Sequence, residues 1–598
     1  MATQEHPERP EIQLPAWADP QVPESRLDPQ GVSRRGLLGR TGMFGAGFLG
    51  ASTLGAAGLS ASPARAESAS AAAPSPAATD SDYDAQGAPR PKYAYLVGDH
   101  HVHTVYSHDA KYGFAQSVNR GEQFGLDWIV YTEHSNFGHA KAGGAQREHD
   151  EIVKARKENP RVLIFQGLEW YIPAAEHATV MVAPGANDVA LLTQFELAYD
   201  GKLTGSSVGK AGDPATAANE AKALAGIRWL GQKKREGFVD DVLVLANHPS
   251  RLGIDSPHEL RAWQDADPSV FIGFEGAPGS QANAEPDWVA YRESVYGPGT
   301  YQRGEYQNSP SDQSWPGYPP ESYRTFGGFD WMTATVGGMW DALLSEGRLW
   351  SITSNSDNHR TLFDTYADGQ YPPGKGFDDL GSKPLPVDTG VPQPGSDFWP
   401  GQFSRTHVGV ESYDYRQVMD GLRAGRVWVD HGQLLDGLDV WAVPEHGAGE
   451  PVTLGGRLTL PPGRAATLYI TITTATRPNF HGDLPALAHV DVITGSVAGR
   501  AKDPDSWKAP DTRVMKRIDV TGRTGTYTLK VPLPRRDTPS YVRLRGSDGK
   551  RLGVGPLGAA VDPAGPVQHP DNDGDPWQDM WFYSNPIFLD VKRPGGRD

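Results

Sequence analysis

Asp99-His100-His101-Val102-His103-Thr104-Val105-Tyr106-Ser107-His108-Asp109 follows a short apolar run, Tyr93–Val97, that reads as the first strand of a folded unit. In extended chain, residues i and i+2 point to the same side. His101 and His103 can therefore reach one cation together, while His100 points the other way and reads as a core residue. Four histidines within nine residues are hard to account for as packing.

Working outward, the same kind of ending recurs on later apolar runs. Trp128–Tyr131 leads into Thr132-Glu133-His134, and Val162–Gln166 into Gly167-Leu168-Glu169. His177 stands just before Thr179–Val182, Val242–Ala246 runs into Asn247-His248-Pro249, and Leu349–Thr353 into Asn355-Ser356-Asp357-Asn358-His359. Asp357 and His359 repeat the two-residue spacing of the first pair. Each ending is weak alone, but five strand ends supplying His or carboxylate to one mouth form a strong joint signal.

Phe271–Phe274 and His407–Val410 complete the strand candidates, and helices are expected over Phe114–Phe124, Ala217–Glu236 and Val336–Glu346. Such alternation predicts an α/β fold with a mainly parallel sheet, and about eight strands close most simply as a barrel. Segments 278–325 and 364–402, rich in Gly and Pro, read as insertions. Beyond residue 437 the period changes to two: Leu468, Ile470 and Ile472 alternate with Tyr469, Thr471 and Thr473, and Asp548-Gly549 supplies a hairpin signal. The expected organisation is a barrel over 93–437 and an all-β, sandwich-like domain over 438–598.

The 598-residue chain has 38% hydrophobic residues, 70 glycines, 50 prolines and a formal net charge of −17. The acidity and the lack of a basic run exclude a nucleic-acid duplex as partner. With no cysteine, any metal must be held by His, Asp and Glu. Ser33-Arg34-Arg35-Gly36-Leu37-Leu38 opens a Gly/Ala-rich stretch that ends at Ala64-Arg65-Ala66. It resembles a twin-arginine export signal over 1–66, followed by a flexible linker over 67–92. A secreted or otherwise extracytoplasmic location is expected. No segment reaches the ~18 apolar residues a membrane span needs, so stable membrane insertion is not.

The ordered series of metal-type endings over about 93–435 resembles the PHP (polymerase and histidinol phosphatase) family of metallohydrolases. The resemblance implies a distorted (β/α)7 barrel holding two to three divalent metals, Zn, Mn or Fe. By similarity, His101, His103, Glu169 and Asp357 would bind one metal, and Glu169 would bridge to a second completed by His177 and His248. His108, His134 and His359 would hold a third. Two positions depart from the family: His108-Asp109 stands where many relatives have an acidic residue, with His108 favoured as the ligand, and Glu133 replaces the usual Asp. Glu169, Asp357 and His359 are the catalytic candidates, with Asp99 expected to fix a histidine tautomer. Metals ~3.5–4 Å apart sharing a carboxylate lower the pKa of a water between them towards ~7 and yield a nucleophilic hydroxide.

Arg251, Arg360 and Arg405 follow or flank the metal-type segments and are candidates for binding a phosphate. Trp288, Tyr291, Tyr296, Tyr301, Tyr306, Trp315, Tyr318 and Tyr323 of the first insertion read as rim packing, and Asp571–Asp575 as a polar turn rather than a calcium loop. The expected activity is hydrolysis of a small phosphorylated substrate. The alternatives are a PHP-type amidohydrolase or other ester hydrolase, and a non-catalytic, metal-holding protein that binds extracellular glycan.

Overall fold

A computed structural model describes residues 93–592 apart from 136, 142, 208, 210–213, 280–309, 363, 394, 396, 446–449 and 569–574. The export signal and linker lie outside the described residues, as do five of the insertion aromatics, Trp288 to Tyr306, and Asp571–Gly574 of the polar turn. The fold is mixed α/β, with one large sheet and a strand-rich C-terminal region.

The first part of the sheet comprises β1 (Ala94–Val102), β2 (Trp128–His134), β3 (Leu163–Tyr171), β4 (His177–Val182), β5 (Val242–Ala246), β6 (Phe271–Ala277), β7 (Ser351–Ser354), β8 (Ser404–Val410) and β9 (Val427–His431). Their spatial order is β9-β8-β1-β2-β3-β4-β5-β6-β7. Most are buried along their whole length, which is why they read as continuous apolar runs. Close approach is built in: a Cβ at Gly98 of β1 would sit 2.0 Å from the Trp128 indole on β2.

The expected mainly parallel sheet is only partly found. β1/β2, β2/β3, β5/β6 and β6/β7 are parallel, but β3/β4, β4/β5 and β1/β8 are antiparallel. Only Ile172–Glu176 separates β3 from β4, too short for a crossover helix, so the chain turns back as a hairpin. Ala174 takes φ +70° in that turn. Between β7 and β8, Thr406 Oγ1 accepts from Ser354 N and donates to Ser354 O, both at 2.8 Å. Beyond the strands, His103 N donates to Asn358 O.

Helices α1 (Phe114–Gln123), α2 (Ala145–Glu158), α3 (Asp188–Tyr199), α4 (Pro214–Arg235), α5 (Pro257–Ala266), α6 (Met339–Ser345) and α7 (Tyr415–Arg423) connect the strands. The expected helix over Val336–Glu346 is shorter, because the chain breaks at Gly337 (φ +77°) before α6 starts. Ser256 and Glu259 form a reciprocal cap at the start of α5, with Pro257 in the first turn.

In the C-terminal region, β10 (Leu435–Pro444), β12 (Ala466–Thr474) and β15 (Thr526–Leu533) form a small antiparallel sheet. It faces β11 (Arg457–Leu460), β13 (His489–Ser496), β14 (Arg513–Asp519), β16 (Ser540–Ser547), β17 (Trp581–Ser584) and β18 (Ile587–Val591). Leu468, Ile470 and Ile472 are fully buried against Val490, Val492, Leu544 and Phe582, as the period-two pattern requires. β17 hydrogen-bonds to both β9 and β16, so one sheet runs across the boundary at 437/438. Asp548-Gly549 ends β16, but the partner strand β17 starts only at Trp581, so no tight hairpin forms there. Among the described residues, no helix is long and apolar enough to cross a membrane.

Candidate metal centre

The C-terminal ends of β1, β2, β3 and β5, the start of β4 and the segment after β7 converge on one buried carboxylate, Glu169. Its Oε1 lies 3.1 Å from His101 Nε2, 3.0 Å from His177 Nδ1 and 3.4 Å from His248 Nε2. Its Oε2 lies 2.5 Å from His134 Nδ1 and 3.6 Å from His103 Nε2. Burial disfavours a charged carboxylate here, yet His177, His134 and His101 outweigh it and hold the group well below its usual range.

Three groups share this hub. In the first, His101 Nε2 and His103 Nε2 are 3.0 Å apart, with Asp357 Oδ1 at 3.1 and 3.4 Å from them. In the second, His177 and His248 meet Glu169, with Glu176 alongside. In the third, His134 Nε2 is 3.1 Å from His359 Nε2, and Asp109 reaches them at 3.3 and 3.6 Å. Thus all nine expected ligands gather here, but His108 is the outermost. Its ring is half exposed and reaches Asp109 at 3.7 Å. Asp109 stands between His134 and His359, so geometry favours it over His108 in the third group.

The donor atoms fit cations. Imidazole nitrogens and carboxylate oxygens bound to one ion at ~2.0–2.1 Å in tetrahedral geometry stand about 3.3 Å apart, close to the spacings found. The buried Glu176 Oε2 and His248 Nδ1 make no hydrogen bond. The tautomers also agree: His101 Nδ1 bonds Glu275 Oε1 (2.7 Å), His103 Nδ1 bonds Ser107 Oγ (2.9 Å), and His359 Nδ1 bonds Asp357 O (2.8 Å). Each then presents the Nε2 lone pair to the centre. His248 (φ 28°) and Asp357 (φ 48°) hold strained backbone conformations, a cost tolerated where function demands it.

Several supporting residues had no sequence signature. Glu275 on β6 accepts from both His101 Nδ1 and His248 N (2.7 Å), so it, not Asp99, fixes the His101 tautomer. Asp99 instead accepts from the backbone N–H groups of His101 and Ser356. Asn247 donates to Glu169 Oε1 at 3.1 Å. Ser107 donates to Glu133 Oε2, tying His103 to a carboxylate raised to about 7 by burial and by Glu148. His100 is a satisfied core residue, bonded to Thr179 and Thr353.

The three arginines differ. Arg251 Nη1 is 3.8 Å from Glu176 Oε2, and its side chain is 38% exposed. Arg360 is occupied: its Nε donates to Asp109 O, and its Nη atoms form a fork on Asp368. Arg405 follows Ser404 and precedes Thr406, which faces Ser354, so it projects from the other face of β8, next to His407. Of the insertion aromatics within the described residues, Trp315 and Tyr318 pack on each other, and Tyr318 packs on Trp331.

No protein-family model and no curated protein matches the chain. Among solved structures, it is similar to a two-domain protein from Bacteroides vulgatus containing a predicted PHP-like metal-dependent phosphoesterase. That similarity has 13% identity and a TM-score of 0.27 over 76% of this chain and 90% of the other.

Proposed function

We propose that the chain is a metal-dependent hydrolase of PHP type, with a distorted (β/α)7 barrel around a centre of two to three divalent cations, acting on phosphoesters. One observation carries the reading: a single buried carboxylate, Glu169, faces five histidines, with three on one oxygen and two on the other. A carboxylate placed between two histidine groups is what bridging demands. Bound divalent cations would supply Lewis acidity towards a phosphoryl oxygen and ease deprotonation of a water.

The chain's own groups do the rest. His101, His103, His177 and His248 aim ring nitrogens at Glu169, with Glu275 bracing His101 and the His248 backbone, Ser107 bracing His103, and Asn247 donating to Glu169. Asp357 Oδ1 lies within 3.4 Å of His101, His103 and His359 nitrogens, and against burial these histidines hold its carboxyl well below the usual range. Arg251, partly exposed beside the second group, favours an anionic substrate over a neutral amide or ester. We also propose export through Ser33-Arg34-Arg35, with cleavage after Ala66.

The test is release of phosphate from an aryl phosphate by protein purified without chelators. Glu169→Ala should lower kcat by at least ~10³-fold while the fold survives. Equal turnover by E169A and wild type would overturn the reading.

A further inference from the structure

Tyr171 ends β3 two residues past Glu169, and its ring packs edge-on against the His177 imidazole at 4.1 Å between centroids. Lys202 Nζ sits over that ring, 3.4 Å from its centroid. The turn that carries Lys202 is fastened to the same strand end. Gly201 N donates to Tyr171 O at 2.8 Å, Tyr171 N donates to Asp200 Oδ2 at 3.2 Å, and Ala174 N donates to Ser206 O at 2.9 Å. Asp200 also accepts from Ser135 Oγ and Leu203 N, closing the turn. An exposed lysine on a free loop would wander; this one is tethered at both flanks over a fixed aromatic face.

Among the described residues no carboxylate is within ion-pairing distance of Lys202 Nζ, although Asp200, Glu169, Asp109 and Glu176 act on it through space. Other cations are already committed: Arg360 and Lys383, both within electrostatic reach of Asp109, share Asp368, and Lys111 pairs with Asp364. Arg251 leans on Glu176 only loosely and is within electrostatic reach of Tyr171. Two cations thus flank the His177–His248 group: Lys202 over Tyr171, whose ring meets His177, and Arg251 beside Glu176, whose Oε2 lies 3.8 Å from His177 Nδ1 and 3.7 Å from His248 Nδ1.

We propose that Lys202, seated on Tyr171, and Arg251 form an anion-binding rim that selects phosphomonoesters. The inference rests on the phosphoesterase reading and names its substrate class. A monoester ends in a group with nearly two negative charges near neutral pH and three peripheral oxygens; a diester has one charge, and one of those oxygens carries a second substituent. In the reaction, a water oxygen bonds to phosphorus as the bond to the ester oxygen breaks. The departing alkoxide takes up a proton that the water gives up, leaving alcohol and inorganic phosphate.

The experiment compares wild type, Lys202→Gln and Lys202→Arg, all purified without chelators. Steady-state constants are measured for an aryl phosphate and a bis(aryl) phosphate, and inorganic phosphate binding by calorimetry. K202Q should raise KM for the monoester and Kd for phosphate by about 10- to 100-fold. The monoester KM should rise by more than kcat falls and by more than the diester KM rises, and K202R should recover most of the loss. Wild-type phosphate affinity in K202Q would overturn the role of Lys202, and a wild type preferring the diester would overturn the substrate class. If wild type turned over neither ester, the phosphoesterase reading would fail, yet calorimetry would still decide the rim. Phosphate bound by wild type and lost in K202Q supports it; no binding by wild type overturns it.

Discussion

A histidine that holds a metal needs its second nitrogen engaged, or the ring turns and the tautomer is lost. Glu275 does this for His101 and also accepts from the His248 backbone, so it braces ligands of two groups at once. Glu275→Gln should weaken metal affinity about 10- to 100-fold with the fold intact; competition with a fluorescent chelator reads this, and unchanged affinity would rule out the bracing role. The candidate ligands themselves were legible, because packing alone seldom places His and Asp at spacing two after one apolar run, let alone after several. Glu275 was not: one carboxylate in an apolar strand shows no period, and only the fold reveals what it faces. The choice between His108 and Asp109 was equally closed to spacing, since adjacent residues point to opposite sides and the chain path decides which turns inward.

At the scale of elements, strands read well where burial on both faces gave continuous apolar runs, as in β5 and β6. Direction was harder: the antiparallel turn between β3 and β4 depends on a five-residue connection, and the expected mainly parallel sheet rested on the general alternation of strands with helices. That hairpin has a functional consequence, because it brings His177 back beside Glu169 on the neighbouring strand. β8 and β9 show a different kind of element-level linkage. His407 on β8 is buried, stacked on Trp428 of β9 at 3.5 Å, and its Nε2 meets Asp430 Oδ1 at 2.8 Å. Burial pushes this imidazole down to about 4, although Asp430 pulls the other way. The folded His407 stays neutral while the unfolded one takes up a proton near 6.5. Its contribution is therefore intact above about pH 6.5 and is lost as the pH falls towards 4, by about 3 kcal/mol in all. Urea midpoints between about pH 7.5 and 4.5 should fall more steeply for wild type than for His407→Asn. Parallel slopes would contradict this.

Across the whole molecule, the C-terminal strands are not an appended module. The large sheet passes from β9 to β17 and β16, and Asp341 of α6 makes a fully buried fork with Arg543 of β16. Asp341 also accepts from Tyr541 OH and Gly337 N, and the Arg543 guanidinium lies over Trp340. Removing one partner of such a pair leaves an uncompensated buried charge, so Asp341→Asn should cost about 3–5 kcal/mol. Calorimetry should show one transition at lower temperature; two separate transitions would mean that the units unfold independently. This continuity was not visible beforehand, because the shift from mixed to all-β patterning near residue 437 marks a change of architecture, not a break in the sheet.

At the centre of the molecule, one buried carboxylate gathers several histidine groups that could hold metal ions, and the proposal is that they form a polynuclear site. Elemental analysis of wild-type protein purified without chelators tests this most directly. About two to three equivalents of Zn, Mn or Fe per chain are expected, reduced in Glu169→Ala. Less than one equivalent in wild type, not restored by adding metal, would contradict it.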